Sequence, residues 1–234
     1  MRRIGVACML MLLGAAGAIA ADNKAPSAVK NYEWGKLLPE QVEILKLTGD
    51  IERGREAFRG CRGCHKPDAG GILDGTYPRL SGQHASVVIK QVTEVRAGAR
   101  VNPKMEPFSS EHAVSLQEIA DIAVFVESVE SNRENGKGPG TALVRGKQLY
   151  QSGKCASCHG DYGEGVAAKA YPVVASQHFG YLLRELDLIQ KGRRGNSHPD
   201  MVKAIARYTR DDMEAVADYM SRMPDYRKVA QARR

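Results

Sequence analysis

The chain of 234 residues is poor in aromatic side chains, which make up 6% of it and include a single tryptophan. It also lacks the alternation of polar and apolar residues that predicts β-strands. With 43% hydrophobic and 26% charged residues, its composition is typical of a globular protein and excludes a collagen-like, coiled-coil or wholly disordered chain. No nucleic-acid-binding motif is present, so we expect no nucleic acid partner. The length suits one large domain or two small ones.

Long apolar runs are absent except at the start of the chain. Residues 1–21 begin with Arg2 and Arg3, continue through an apolar run, and close on an Ala-Ile-Ala sequence at 18–20. The run is shorter than the roughly 20 residues that a spanning helix needs, and the closing sequence is typical of a signal-peptidase site. We therefore predict a signal peptide over residues 1–20, cleaved after about Ala20, and export to the periplasm. A retained membrane anchor is the alternative.

Cysteine is also scarce, because only four cysteines remain once Cys8 is removed with the signal peptide. All four lie in two copies of one pentapeptide, Cys61-Arg62-Gly63-Cys64-His65 and Cys155-Ala156-Ser157-Cys158-His159. CxxCH is the attachment motif of c-type haem, in which the sulfurs form thioethers with one porphyrin and the histidine binds the iron. We therefore predict two covalently bound haem c groups, attached at Cys61, Cys64, Cys155 and Cys158, with His65 and His159 as iron ligands. A redox disulfide is one alternative, but it gives no reason for the histidine after each pair. A zinc site built from both pairs is the other, and it does not suit an exported basic chain.

The two motifs belong to an internal duplication with an offset of 94 residues. At this offset Tyr77-Pro78 corresponds to Tyr171-Pro172, and Gln83-His84 corresponds to Gln177-His178. Capping-box sequences begin at Ser115 and Thr209, and the apolar residues after each recur with the spacing of an amphipathic helix. Further helices are predicted around Val88 and over 181–190, and a short helix at each CxxCH. The predicted fold class is all-α.

The duplication predicts two tandem haem domains, each a small helical bundle around one haem. We place the first domain at 48–131 and the second at 141–234, joined by a polar, glycine-rich linker at 132–140. Residues 21–47 form an N-terminal extension outside the duplication. Its apolar side chains, including Trp34 and Ile44, predict that it packs on a domain.

The second axial ligand of each iron is predicted to be a methionine. Met105 is the only methionine of the first copy, and it lies between two prolines, where a role in a helix core is poorly explained. Met201 holds the matching position, 42 residues after His159, as Met105 is 40 residues after His65. We predict Met105 and Met201 as iron ligands. His198 is a rival to Met201 that the sequence leaves open.

Other residues of the repeat have predicted supporting roles. A proximal histidine normally donates its second ring N–H to a carbonyl or carboxylate, and the carbonyls of Pro78 and Pro172 are our candidate acceptors. Prolines that merely turn the loop are the alternative. His84 and His178 stand at the starts of predicted helices, so we expect them at the surface or at a helix terminus.

On these motifs the chain resembles the class I c-type cytochromes, and its tandem form resembles the dihaem cytochrome c4 family. The resemblance covers roughly 49–223 and rests on both CxxCH motifs, the Tyr-Pro pairs and Met105-x-Pro107. It implies a periplasmic carrier that shuttles single electrons between redox partner proteins, such as a membrane-bound or soluble oxidase, reductase or dehydrogenase. The second copy departs from the pattern, since Met201 has no proline two residues later and Ser176 stands where the first copy has Gly82.

Two other functions stay open at this point. One is an electron-accepting subunit of a larger periplasmic dehydrogenase, and the other is a dihaem oxidoreductase of the peroxidase or thiosulfate dehydrogenase type. The known dihaem thiosulfate dehydrogenases use a cysteine ligand at the catalytic haem, and no mature cysteine is left free here.

Charge is distributed unevenly between the two copies. Residues 21–138 carry 16 Lys and Arg against 17 Asp and Glu, whereas residues 139–234 carry 16 against 10. Lys191, Arg193 and Arg194 lie shortly before Met201. This positive surplus predicts that the second domain docks an acidic redox partner. Ordinary solvated side chains are the alternative.

Overall fold

The computed structural model describes residues 37–130 and 134–227, so the predicted signal peptide and Trp34 lie outside the described residues. Within these two ranges there is no β-strand, an isolated β-bridge joins Val166 and Tyr171, and the prediction of an all-α fold is confirmed. None of the helices in these ranges is long and apolar enough to cross a membrane. In chain order the helices are α1 (Pro39–Ile44), α2 (Ile51–Ala57), α3 (Arg62–His65), α4 (Ala85–Arg96), α5 (Glu106–Ser109), α6 (Leu116–Ser128), α7 (Leu143–Ser152), α8 (Ala156–His159), α9 (Phe179–Gln190), α10 (Pro199–Ile205) and α11 (Arg210–Arg222).

The predicted capping boxes open the last helix of each copy. At the start of α6, the Glu118 N–H donates to Ser115 Oγ at 3.2 Å, and the Ser115 N–H donates to Glu118 Oε2 at 2.8 Å. Thr209 and Asp212 repeat the arrangement at the start of α11, at 3.1 and 3.2 Å. Each box satisfies two backbone donors that the helix itself leaves unpaired. The helices predicted around Val88, over 181–190 and at the CxxCH motifs are also confirmed, as α4, α9, α3 and α8.

In each copy the helix before the CxxCH motif crosses the last helix at a glycine. A Cβ atom added to Gly54 of α2 would lie 2.1 Å from the carbonyl oxygen of Asp121 in α6. A Cβ atom on Gly146 of α7 would lie 2.1 Å from the carbonyl oxygen of Ala215 in α11. Only glycine permits so close an approach of two helix backbones. Helix α4 packs against α6 of the first crossing, and helix α9 packs against α11 of the second.

Helix α1, the described part of the N-terminal extension, packs on the first copy as predicted and also reaches the second. Gln41 is fully buried and donates its Nε2–H to Thr93 Oγ1 in α4 at 2.9 Å. Leu37 and Leu45 pack in a small apolar cluster that includes Ala170 of the second copy. The extension therefore ties the two copies together.

The chain segments after the last helix of each copy form hydrogen bonds with the other copy. The segment after α6 bonds to the second copy, and the segment after α11 bonds to the first. After α6, the Gly136 N–H donates to His178 Nδ1 at 2.9 Å, and Asn135 Nδ2 donates to the carbonyl of Gln177 at 3.0 Å. After α11, the Arg227 guanidinium donates to the carbonyl of Val129 at 2.9 Å. The described part of the polar, glycine-rich linker, residues 134–140, is therefore held more firmly than its composition suggests.

Two glutamines at equivalent positions of the repeat bind the copies to each other. The Gln177 side chain accepts from the Arg79 N–H at 2.9 Å and donates to the Arg79 carbonyl at 2.8 Å. The Gln83 side chain accepts from the Val173 N–H at 2.9 Å and donates to the Val173 carbonyl at 3.0 Å. Because Arg79 and Val173 are also 94 residues apart, the interface has an internal twofold relation.

Two equivalent histidines extend this relation. His84 Nε2 lies 2.8 Å from the carbonyl oxygen of Glu164, and His178 Nε2 lies 2.8 Å from that of Gly70. Both residues immediately precede a helix, as predicted, but the expectation of a surface position is wrong, since they are only 8% and 0% exposed. The opposite copy covers each ring, which no local pattern could indicate.

Candidate haem-binding cavity

A single cavity of about 1240 Å³ runs through both copies and is lined by both CxxCH motifs. It exceeds the roughly 300–1,000 Å³ of an ordinary small-molecule pocket. Apolar side chains from α4, α9 and α11 contribute much of its wall, among them Val88, Val92, Val95, Leu182, Leu186, Ile189 and Val216. The size, the shared walls and the apolar character fit two large, flat cofactors.

The two predicted proximal histidines are held in the same way. His65 Nδ1 lies 3.1 Å from the Pro78 carbonyl oxygen, and His159 Nδ1 lies 3.0 Å from that of Pro172. A carbonyl only accepts, so Nδ1 carries the proton and Nε2 keeps the lone pair that a metal requires. Burial lowers the pKa of both rings, although the bond to the proline carbonyl acts in the opposite direction. The prediction that these two carbonyls are the acceptors is confirmed.

The four cysteines line the cavity, and no disulfide joins any of them. Burial raises the pKa of the Cys61 thiol to about 11, and it raises that of the equivalent Cys155 thiol to about 11 as well. The described residues contain no group of three or more His, Cys, Asp or Glu side chains placed to hold a metal ion, so the two pairs do not meet in one zinc site. Pairs of neutral sulfurs beside an apolar cavity fit covalent attachment of haem.

The structure brings both predicted methionines to the cavity wall. Met105 immediately precedes α5, and Met201 lies in the first turn of α10. His198 also borders the cavity, but its side chain is 54% exposed and its Nδ1 accepts the N–H of Asp200 at 3.2 Å. Its ring therefore caps α10, and this supports Met201 over His198.

Arg194 is not on the docking surface that the sequence predicts. Its side chain is 17% exposed, and its guanidinium lies 2.9 Å from Glu185 Oε2 where the two copies meet. Burial and the neighbouring Arg100 lower the pKa of Arg194. The expectation for Arg194 is wrong because the fold buries its guanidinium group between the copies. The Glu185 carboxylate pairs with the buried charge and compensates for the loss of water. Two arginines beside one glutamate leave an excess of positive charge in the cavity, which fits a cofactor that carries carboxylates.

The openings of the cavity differ between the copies. Exposed cationic residues border the opening in the second copy, namely Lys154, Lys169, Arg193 and Lys203, with Asp200 as an acidic neighbour. In the first copy the border includes Val101, which is 72% exposed, and Phe108, which is 49% exposed, with Lys104 as one exposed cation. The opening in the second copy therefore carries more positive charge, and the opening in the first copy exposes more apolar surface.

The sequence profile of the cytochrome c family matches residues 51–130 and 143–224, once for each copy. The chain therefore belongs to the cytochrome c family. It is 34% identical over 174 residues to the thiosulfate dehydrogenase electron acceptor of Stutzerimonas stutzeri strain A1501, a match that covers 70% of this chain and 79% of that protein.

Two solved structures share the fold. Reduced recombinant cytochrome c4 from Pseudomonas stutzeri matches with a TM-score of 0.68 and 25% identity, over 75% of this chain and 100% of the other. The as-isolated thiosulfate dehydrogenase from Marichromatium purpuratum matches with a TM-score of 0.65 and 27% identity, over 74% of this chain and 40% of the other. The chain is a cytochrome c4-like dihaem electron carrier with two covalently bound haem c groups.

Proposed function

We propose that this carrier works in the periplasm and accepts electrons from a dehydrogenase that oxidises a small sulfur anion of the thiosulfate type. The observation that carries the proposal is the 34% identity, across both copies, to an electron acceptor of thiosulfate dehydrogenase. The structural match to a thiosulfate dehydrogenase supports it. The carrier then passes the electrons on to a second redox protein.

Each copy supplies one complete set of side chains for a haem. Cys61 and Cys64 would attach the first haem, and His65 and Met105 would bind its iron. Cys155, Cys158, His159 and Met201 would take the same roles in the second copy. When bound, haem supplies a one-electron couple at its iron.

The protein's own contribution is to hold the ligands and to exclude water. The Pro78 and Pro172 carbonyls fix the orientation of the two proximal rings, because each accepts the Nδ1–H. A histidine and a methionine bound to each iron would leave no site there for a substrate, which suits a carrier better than an enzyme. The apolar walls formed by α4 and α9 keep solvent away from the cofactors.

The basic opening of the second copy supplies the docking surface for an acidic dehydrogenase. Lys154, Lys169, Arg193 and Lys203 are exposed around it, so they can attract a partner of opposite charge before contact. This attraction raises the association rate, and salt screens it over roughly 8–10 Å near physiological ionic strength.

The test is reduction of the oxidised, haem-loaded protein by thiosulfate and the thiosulfate dehydrogenase of Stutzerimonas stutzeri, followed by the haem absorption bands. We expect rapid reduction of both haems with the enzyme and none without it. The double variant Arg193→Glu/Lys203→Glu should slow the reaction several-fold at low salt. The control Lys46→Glu/Arg59→Glu makes the same charge change on exposed residues of the first copy and of α1's C-terminal end.

Three results would count against the proposal. Failure of the enzyme to reduce the protein would remove the proposed donor. Equal slowing by both double variants would show that only net charge matters. An unchanged rate in both would exclude the basic opening as the docking surface.

A further inference from the structure

Four side chains form a closed ring where the two copies meet. Arg100 donates to Gln91 Oε1 at 2.8 Å and to Glu185 Oε2 at 3.1 Å. Arg194 donates to Gln91 Oε1 at 3.2 Å and lies 2.9 Å from Glu185 Oε2. The charged side chains of Arg100, Arg194 and Glu185 are only 10%, 17% and 11% exposed, and all four residues line the haem cavity. We call these four residues the junction ring.

The junction ring follows the duplication except at one position. Arg100 and Arg194 are 94 residues apart, and so are Gln91 on α4 and Glu185 on α9. A symmetric ring would contain two amides or two carboxylates. This chain has one of each, so two guanidinium groups share one carboxylate and one neutral amide.

The carboxylate of Glu185 lies close to three arginines. Its Oε2 lies between both guanidinium groups, and Arg184 Nε lies 3.9 Å from its Oε1. Three arginines therefore surround one glutamate, and their hydrogen bonds and ion pairs hold its side chain in place. On the opposite side of the ring, Gln91 Oε1 also accepts from Asn196 Nδ2 at 3.2 Å. Within the junction ring the negative charge therefore lies on the α9 side, whereas Glu94 of α4, which accepts from Asn196 Nδ2 at 2.6 Å, pairs with Lys90 outside the ring.

Building on the proposed ligation of two haems in this cavity, we propose that Glu185 sets the reduction potentials of the haem pair. The difference between Gln91 and Glu185 makes the charge of the junction ring unequal on the sides of the two haem sites. A fixed carboxylate stabilises the ferric state, because reduction removes one positive charge. At the effective permittivity of about 20 that describes protein interiors, such a charge still acts over distances of several ångströms to more than ten.

A ring with a purely structural role would hold the copies together without changing a potential. Substitutions at the two equivalent positions separate these roles. Glu185→Gln removes the charge and keeps a hydrogen-bonding amide, whereas Gln91→Glu adds a charge at the equivalent place. The double variant Gln91→Glu/Glu185→Gln keeps the net charge and moves it from α9 to α4. Glu214→Gln is the matched control, because Glu214 pairs with Arg210 outside the cavity.

The experiment measures both potentials by spectroelectrochemical titration of protein that carries both haems, after haem staining has verified attachment. We expect Glu185→Gln to shift the ferric-to-ferrous equilibrium of at least one haem about tenfold towards the ferrous state, which is about 59 mV for one electron. Gln91→Glu should lower a potential by a similar amount. The double variant should restore the mean of the two potentials but change their separation, and Glu214→Gln should alter neither.

Several results would overturn the inference. Equal shifts of the reduction potentials in Glu185→Gln and Glu214→Gln would show that the potentials depend only on the net charge of the protein. Wild-type potentials in Glu185→Gln combined with a lower unfolding temperature would leave the ring a structural role. If Glu185→Gln does not fold, Gln91→Glu decides the question, because it gives each guanidinium a further carboxylate. If the wild-type protein does not show two haem reduction potentials, the proposed ligation is refuted. This failure is recognised before any substitution is made.

Discussion

Replacing Gln177 by alanine should weaken the joint between the two copies more than the same change at Gln83. The Gln177 side chain makes two hydrogen bonds to the buried backbone of Arg79, whereas the bonds of Gln83 to Val173 are only partly buried. Two net hydrogen bonds are worth about 2 kcal/mol, and buried backbone groups left unpaired cost about 1–3 kcal/mol more. We therefore expect Gln177→Ala to lower the free energy of unfolding by about 3 kcal/mol, and Gln83→Ala by about 1–2 kcal/mol because water reaches the freed groups.

The assay is urea unfolding of the haem-loaded protein, followed by far-ultraviolet circular dichroism and by haem absorbance. Gln151→Ala, at an exposed glutamine of α7, is the control and should have little effect. Once the interface between the copies is weakened, the copies should unfold in separate steps. The unfolding curves from circular dichroism and from haem absorbance should then no longer coincide. Equal losses from Gln177→Ala and Gln83→Ala, or a loss as large from Gln151→Ala, would refute this account of the interface.

The remaining predictions concern the ligands, a helix crossing and pH. Met105→Ala and Met201→Ala should each abolish the sulfur-to-iron far-red absorption of one haem and lower its potential, whereas His198→Ala should change neither; the reverse result in the second copy would make His198 the ligand. Gly54→Ala would place a methyl group 2.1 Å from a backbone carbonyl of α6, so we expect a loss of about 3 kcal/mol in urea unfolding, and a loss near zero would contradict the crossing. Burial lowers the pKa of His178, so its contribution to stability is present above about pH 6.5, the value of the unfolded chain, and is lost as the pH falls further. His178→Gln should therefore flatten the decline in stability between about pH 7 and pH 5, and an unchanged slope would show that other groups cause it.

The features that could be predicted from the sequence depend on residues close together in the chain. Each CxxCH motif places two sulfurs and one imidazole within a single helical turn, and each capping box spans four residues. The same holds for the bond between His65 and the Pro78 carbonyl, 13 residues apart in one loop. A short chain separation leaves few alternative geometries, so the pattern alone indicates the structure.

The features that escaped prediction depend on how the two copies meet. Arg194 looked like a surface cation because it follows Lys191 and Arg193, yet Glu185 and Gln91 enclose it. A signal was available, since Arg100 and Arg194 are separated by the repeat offset of 94 residues. Local periodicity carries no information about contacts between residues about a hundred positions apart. Such contacts become visible only when the copies are docked.

The reciprocal bonds of Gln83 and Gln177 have the form of an interface between identical subunits. In a twofold homodimer, residue i of one subunit contacts residue j of the other, and j of the first contacts i of the second. Here each glutamine binds the backbone that lies four residues before its counterpart. The contact between the two copies thus has the form by which two separate copies of one domain associate in a twofold dimer. Joining them in one polypeptide replaces a concentration-dependent dimer by a permanent one, so two irons stay paired however dilute the protein becomes.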